Sequence, residues 1–234
     1  MLIGGLQKLT LIDYPGKIAA TVFLIGCNFS CPWCYNPELV LPEKIKNHKK
    51  ITEKYFFDFL KKRKGLLDGV VICGGEPTIN KNLPDFIKKI KKPGYAVKLD
   101  TNGSNPEMLK NLIDKKLVNY VAMDIKAPLK TQNYEETAGV KINLNKIKKS
   151  IKIIKDSRID YEFRTTVLPK EHSSKDIINI AKELKGAKIY YLQSFKPIKT
   201  INPKYEKYKP FGQKQLKAIQ KECEKYLPTE LRNL

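Results

Sequence analysis

The chain has 234 residues, 41% of them hydrophobic, and a formal net charge of +21. That length supports one sizeable core, and that composition excludes a disordered chain. No stretch approaches the roughly 18 uninterrupted apolar residues of a membrane helix. The opening "MLIGGLQKLTLIDYPGK" has no basic start and no cleavage site, so we expect a cytoplasmic protein without a leader or membrane contact.

In chain order, "LTLIDYPG" reads as part of a short hairpin leading into a strand at 19–25, "AATVFLI". A helix then starts at the Thr52 cap and stops at Gly65. "GVVIC" (69–73) is a strand, and "LPDFIKKIKK" is a helix halted by Pro93 and Gly94. A strand at 95–100 precedes a helix capped by Asn105 with Pro106 in its first turn. Strands at 119–125 and 159–168 enclose the helix "NLNKIKKSIKIIKDS". A helix capped by Ser174 and ended by Gly186 leads to a strand at 187–195. One more helix lies in the tail, "GQKQLKAIQKECEKY".

Strands alternating with helices predict an α/β fold with a parallel sheet. Six units fall short of the eight that close a standard barrel. The first expectation is a partial (βα)6 barrel with a C-terminal helical tail, and the second a doubly wound sheet. Residues 1–200 would be the core, and 201–234 a tail packed on it.

Polar residues gather at strand ends: Cys27, then Gly74-Gly75-Glu76-Pro77, then Asp100 and Asn102, then Asp124 and Lys126, then Arg164, then Gln193 and Ser194. Parallel sheets bind ligands at that edge. The two glycines would let backbone approach a ligand closely, and Glu76 could accept from an ammonium group.

Five cysteines are an odd number, and Cys27, Cys31 and Cys34 crowd "CNFSCPWC", so the pattern points to a metal centre rather than disulfides. Structural zinc takes four Cys or His ligands. Cys73 and Cys223 belong to no second pair and read as small core residues; His48 and His172 stand alone in the sequence. Zinc closed by Cys73 remains an alternative. An iron–sulfur cluster held by three thiolates, with one iron open to a ligand, fits the spacing better.

This C-x₃-C-x₂-C motif has Trp33 before its third cysteine and "GGEP" after the next strand. It resembles the radical S-adenosylmethionine superfamily over roughly residues 1–200. "LTLIDYPGK", "LDTNG" and "MDIK" resemble, within it, the activating enzymes of glycyl-radical enzymes, in particular those serving anaerobic ribonucleoside-triphosphate reductase. The resemblance implies one 4Fe–4S cluster on Cys27, Cys31 and Cys34, with S-adenosyl-L-methionine chelating the open iron. Trp33 and Tyr35 would lie at the adenine. Gly74, Gly75 and Glu76 would receive the methionine amine. Asn102, Asp124, Ile125, Lys126 and Arg164 would follow the rest of the ligand, and Asp100 with Asp124 would flank a monovalent cation. The implied reaction cleaves the ligand reductively and installs a glycyl radical on a partner enzyme.

In the stretch "YLQSFKP" this chain lacks a histidine that some such enzymes carry. It also lacks the cysteine-rich insert that would hold further clusters. A flavodoxin or ferredoxin is the expected electron donor. Arginine is scarce and the lysines are spread without a basic tail, so nucleic acid is not an expected partner. The remaining alternative is a radical enzyme that modifies a small molecule or tRNA.

Overall fold

Short runs of β-branched and apolar residues, cut off by glycine, proline or a capping side chain, set the element lengths. In the computed structural model, which describes residues 1–233, they form eight strands. These are β1 (Ile3–Thr10), β2 (Ala19–Leu24), β3 (Gly69–Gly74), β4 (Ala96–Thr101), β5 (Tyr120–Asp124), β6 (Asp160–Val167), β7 (Tyr190–Ser194) and β8 (Thr229–Arg232). All eight join one sheet in chain order. β1 runs antiparallel to β2, and every later neighbouring pair is parallel. A doubly wound sheet reverses its strand order at a switch point. This sheet never does, so it winds as a barrel. Among the described residues no pairing joins β8 back to β1, which leaves the barrel open.

The helices are α1 (Pro37–Val40), α2 (Pro42–Asn47), α3 (Glu53–Lys62), α4 (Leu83–Lys91), α5 (Pro106–Asp114), α6 (Thr131–Ala138), α7 (Leu144–Asp156), α8 (Ser174–Glu183) and α9 (Gln213–Cys223). The expected caps at Thr52 and Asn105 accept the Tyr55 and Met108 amides. The cap of α8 is Ser173, not Ser174, because Ser173 and Asp176 form a reciprocal capping box. Among the described residues no helix is long and apolar enough to cross a membrane.

Strand parity divides the interior in two. Outward residues such as Val70, Ile72, Val97, Leu99, Val121, Met123 and Phe163 pack under the helices in the main core. Inward residues form a small separate cluster of Tyr14, Ala19 and Val71, with Cys73, Ala96 and Tyr120 against it. Tyr14 comes from the "LIDYPG" turn, is 2% exposed, and places its ring 5.9 Å from that of Tyr120. The barrel end opposite the cysteines is therefore filled.

Besides the short helices α1 and α2, β8 and α6 were not expected. β8 is four residues with two charges, "TELR", and carries no apolar run. It extends the sheet beyond the six expected strands, so the tail after residue 200 is part of the barrel wall as well as a helix. α6 is mostly polar, with one aromatic, Tyr134, anchoring it.

Candidate active site at the barrel mouth

The loop after β2 carries Cys27, Cys31 and Cys34 to the C-terminal edge of the sheet. They line a cleft of about 810 Å³, open to solvent, together with Trp33, Tyr35, Cys73, Gly74, Gly75, Glu76, Asp100, Asn102, Asp124, Lys126, Arg164 and Thr166. Ile125 does not line it. It follows β5 directly and keeps the parity of Val121 and Met123, which sends the side chain outward, where it is 1% exposed in the main core. Only its backbone serves the edge: the Ile125 amide donates to the Arg164 carbonyl, and its carbonyl accepts from the Thr165 hydroxyl.

Hydrogen bonds hold the cysteine loop from three sides, two through backbone and one through side chains. The Ser30 amide donates to the Ala138 carbonyl at the end of α6, at 2.9 Å. The Ile201 and Asn202 amides donate to the Cys34 and Pro32 carbonyls, at 3.0 and 2.8 Å. A boundary drawn at residue 200 would thus cut a strap across this loop. Third, Asn28 links through Asn102 and Ser104 to the loop after β4. Burial pushes the Cys27 thiol up to about 12 and Cys31 up to about 11, and it raises Cys34 as well. Thiolates there need nearby positive charge. Lys126 provides some: its charge opposes the rise at Cys31 and Cys34, and its ammonium lies 5.1 Å from the Trp33 ring centre. Among the described residues the buried Trp33 Nε1 has no hydrogen-bond partner.

The "GGEP" segment lines the cleft and also has a local structural role. A Cβ on Gly74 would lie 2.4 Å from the Leu24 amide nitrogen, and one on Gly75 would lie 1.9 Å from the Gly26 carbonyl oxygen. The glycines first allow this loop to press on the cysteine loop. Glu76 is 1% exposed. Its Oε1 accepts from the Thr78 amide and hydroxyl and from the Thr101 hydroxyl, and its Oε2 accepts from the Asn102 amide at 2.6 Å. Burial raises its carboxyl against those bonds. All four bonds are internal, so Glu76 clamps the ends of β3 and β4 together.

A row of charges crosses the floor of the cleft. Lys98 donates to Asp100 at 2.6 Å. Arg164 donates through Nη1 to Asp100 at 3.0 Å and through Nε to Asp124 at 2.9 Å. Lys126 meets the other oxygen of Asp124 at 3.1 Å. Burial alone would raise both acids, but the Arg164 guanidinium and the lysines outweigh it; Asp124 falls to about 2 and Asp100 falls too. Arg164 thus bridges Asp100 and Asp124, the two acids expected to flank a monovalent cation. His172, isolated in sequence, supports this row from below. Its Nδ1 accepts from the Leu168 amide, which fixes the proton on Nε2, donated to the Lys126 carbonyl at 2.7 Å.

Sequence reasoning missed four inward residues. Cys73, read as a core residue, lines the cleft; burial holds its thiol up at about 12. Lys98, Glu162 and Arg232 lie within the barrel. The signal was present: Lys98 and Glu162 sit two residues before Asp100 and Arg164, on the same strand face. Gln193 and Ser194, counted at the sixth strand end, do not line the cleft.

The match to known proteins agrees with this geometry. The model of the "Radical SAM superfamily" covers residues 21–187. A protein of Methanocaldococcus jannaschii named for the glycyl-radical enzyme activating enzymes is 36% identical over 97% of this chain and 93% of its own. The pyruvate formate-lyase-activating enzyme of Clostridium pasteurianum is 28% identical over 99% of this chain and 97% of its own. Among solved structures, SuiB of Streptococcus suis bound to S-adenosylmethionine has the same fold, with a TM-score of 0.67 at 15% identity over 91% of this chain. This chain spans about half of SuiB, covering 52% of it. With its barrel, cysteine motif and near full-length relatives, the chain belongs to the radical S-adenosylmethionine superfamily and, within it, to the glycyl-radical enzyme activating enzymes.

Proposed function

We propose that Cys27, Cys31 and Cys34 hold one 4Fe–4S cluster, that S-adenosyl-L-methionine occupies the cleft beside it, and that the protein substrate is anaerobic ribonucleotide reductase. The observation that carries this reading is the position of the three cysteines: one loop, at the mouth, facing the charged row.

The donor set fits such a cluster. Among the described residues no three His, Cys, Asp or Glu side chains converge on a point that could hold a single metal ion. A cluster makes another demand, since each thiolate binds its own iron. Three buried thiols with raised pKa values also suit a centre that supplies positive charge. When bound and reduced by an external donor, the cluster would supply the electron that splits its ligand into methionine and a 5′-deoxyadenosyl radical able to take hydrogen from a glycine.

The protein's own residues bind, orient and shield. The ligand has an ammonium, a carboxylate and a sulfonium, and the mouth offers both signs of charge. Lys126 and Arg164 suit the carboxylate. Asp124, at 30% side-chain exposure against 12% for Asp100, is the acid open to an ammonium. Carbonyls of Gly74 and Gly75, which line the cleft with Glu76, can accept from the same group. Trp33 and Tyr35 flank the cysteines, and Tyr35 is fixed by stacking on Phe195 and by accepting from the Lys196 amide. Hydrogen abstraction needs no acid–base residue here; it needs water kept out and the glycine held close. The +21 charge suits an acidic flavodoxin or ferredoxin as electron donor.

The partner is supported by "LTLIDYPGK", "LDTNG" and "MDIK". The test mixes iron-loaded protein, reductant and S-adenosyl-L-methionine with anaerobic ribonucleotide reductase and records electron paramagnetic resonance. A stable radical that vanishes when the partner's glycine is replaced is the expected result. Ligand cleavage without a radical on the reductase, but with one on another glycyl-radical enzyme, would overturn the choice of partner.

A further inference from the structure

Glu162 is the most deeply buried acid of the barrel interior, at 0% exposure. It lies on β6 two residues before Arg164 and faces the same way. Its carboxylate accepts from both ends of the Arg232 guanidinium, Nη1 at 2.7 Å and Nη2 at 2.9 Å, and from the Tyr120 hydroxyl at 2.8 Å. The same carboxylate is 3.7 Å from Nη1 of Arg164. That Arg164 nitrogen therefore faces two acids, Asp100 at 3.0 Å and Glu162 at 3.7 Å.

A buried carboxylate without a cation is costly, and the nearest cation is drawn to it. Arg232 meets this demand with a forked pair, and its guanidinium also stacks on Tyr191, 3.3 Å from the ring centre. Glu162 is then satisfied, and Arg164 is left to Asp100 and Asp124. Without Arg232, the nearest guanidinium to Glu162 would be that of Arg164. Turning toward Glu162 would pull Nε from Asp124 and leave Lys126 as its sole partner.

We infer that Arg232, carried to the barrel by β8, is a positioning residue for the mouth: by neutralising Glu162 it keeps Arg164 on Asp100 and Asp124. The coupling stands on geometry alone; its effect on ligand binding rests on the function proposed above. It also gives the tail strand a task that its length and composition do not suggest.

Arg63, Arg158, Arg164 and Arg232 are the only arginines in the sequence, so side-chain Nε–H signals can be resolved by nitrogen-15 NMR of the apoprotein at neutral pH. The expected result is a protected Arg164 Nε–H in the wild type, lost in Arg232→Met and regained in Arg232→Met with Glu162→Gln, where the competing charge is gone. S-adenosyl-L-methionine affinity of the iron-loaded proteins should follow, falling about tenfold in the single variant and returning to within about threefold in the double. If Arg232→Met fails to fold, Arg232→Gln with and without Glu162→Gln makes the same comparison, since glutamine also removes the charge while keeping a hydrogen-bond donor. A double variant no better than the single one in the NMR signal would overturn the inference and leave β8 a mere anchor. If even the wild type fails to bind the ligand, the functional reading falls, and the NMR comparison alone decides the coupling.

Discussion

Gly139 and Ser30 touch so closely that a Cβ on Gly139 would stand 2.2 Å from the Ser30 carbonyl oxygen. Gly139 also has φ +69°, a left-handed conformation that closes α6. Gly139→Ala should therefore do two things. It should cost about 1–3 kcal/mol of stability, and it should shift the cysteine loop. Gly186→Ala is the control, because Gly186 has φ +79° and open space around its Cβ position. Urea unfolding should show strain in both. Only Gly139→Ala should also lower the iron retained per chain.

Single Cys→Ser changes separate the thiols by role. Replacing Cys27, Cys31 or Cys34 should prevent assembly of the four-iron centre, seen as loss of the iron–sulfur absorption band after anaerobic reconstitution. Cys73→Ser and Cys223→Ser should keep it. Loss of the band on changing Cys73 would make Cys73 a fourth thiolate on the cluster and leave no iron open to a ligand.

Glu76→Gln tests the clamp. Four donors converge on the carboxylate, two of them backbone amides held by different oxygens. Either orientation of the glutamine amide turns an NH₂ toward one of those N–H groups. The expected loss is about 1–3 kcal/mol in urea unfolding. A variant as stable as the wild type would show that the carboxylate is not carrying the loop.

Acid should weaken the fold in two steps. Burial lowers the pKa of His172, against the opposing pull of the Lys126 carbonyl. The unfolded state then takes up its proton first, so stability is full above about pH 6.5 and falls as pH drops below it. Asp124, held at about 2 against an ordinary 3.8, contributes stability above pH 3.8 that disappears as pH falls toward 2. Linkage puts that second loss at about 2 kcal/mol. Urea midpoints against pH should show both steps; His172→Gln should remove the upper one and Asp124→Asn the lower.

Reduction by a flavodoxin or ferredoxin should slow as salt rises, on the order of tenfold between dilute and physiological ionic strength. Stopped-flow measurement across that range checks it. A flat profile would exclude docking through the lysine-rich surface.

Much of the mouth was legible because its residues come from strand ends, where alternation and a ligand edge coincide. Cys27, Asp100, Asp124 and Arg164 were found that way. The reading stopped at the ends, and so Lys98 and Glu162, one inward step below, were passed over. Ile125 shows the same rule from the other side: it is adjacent to two cleft residues but has the wrong parity. Glu76 was found, but its clamping role was not, because its partners Thr78 and Thr101 become neighbours only when two loops meet. Arg232 had no local signal at all; a four-residue strand is defined by the sheet it joins.

Tyr14 gives the barrel the character of a cup rather than a pipe. With its ring, Tyr120 and the buried ion pairs filling the far end, nothing can be flushed through from behind. Whatever lies deep in the cleft shares the mouth's approaches with any protein docked there. A lid formed by a visiting partner would then also be a stopper, and the residence time of the visitor would set how long the spent contents stay inside.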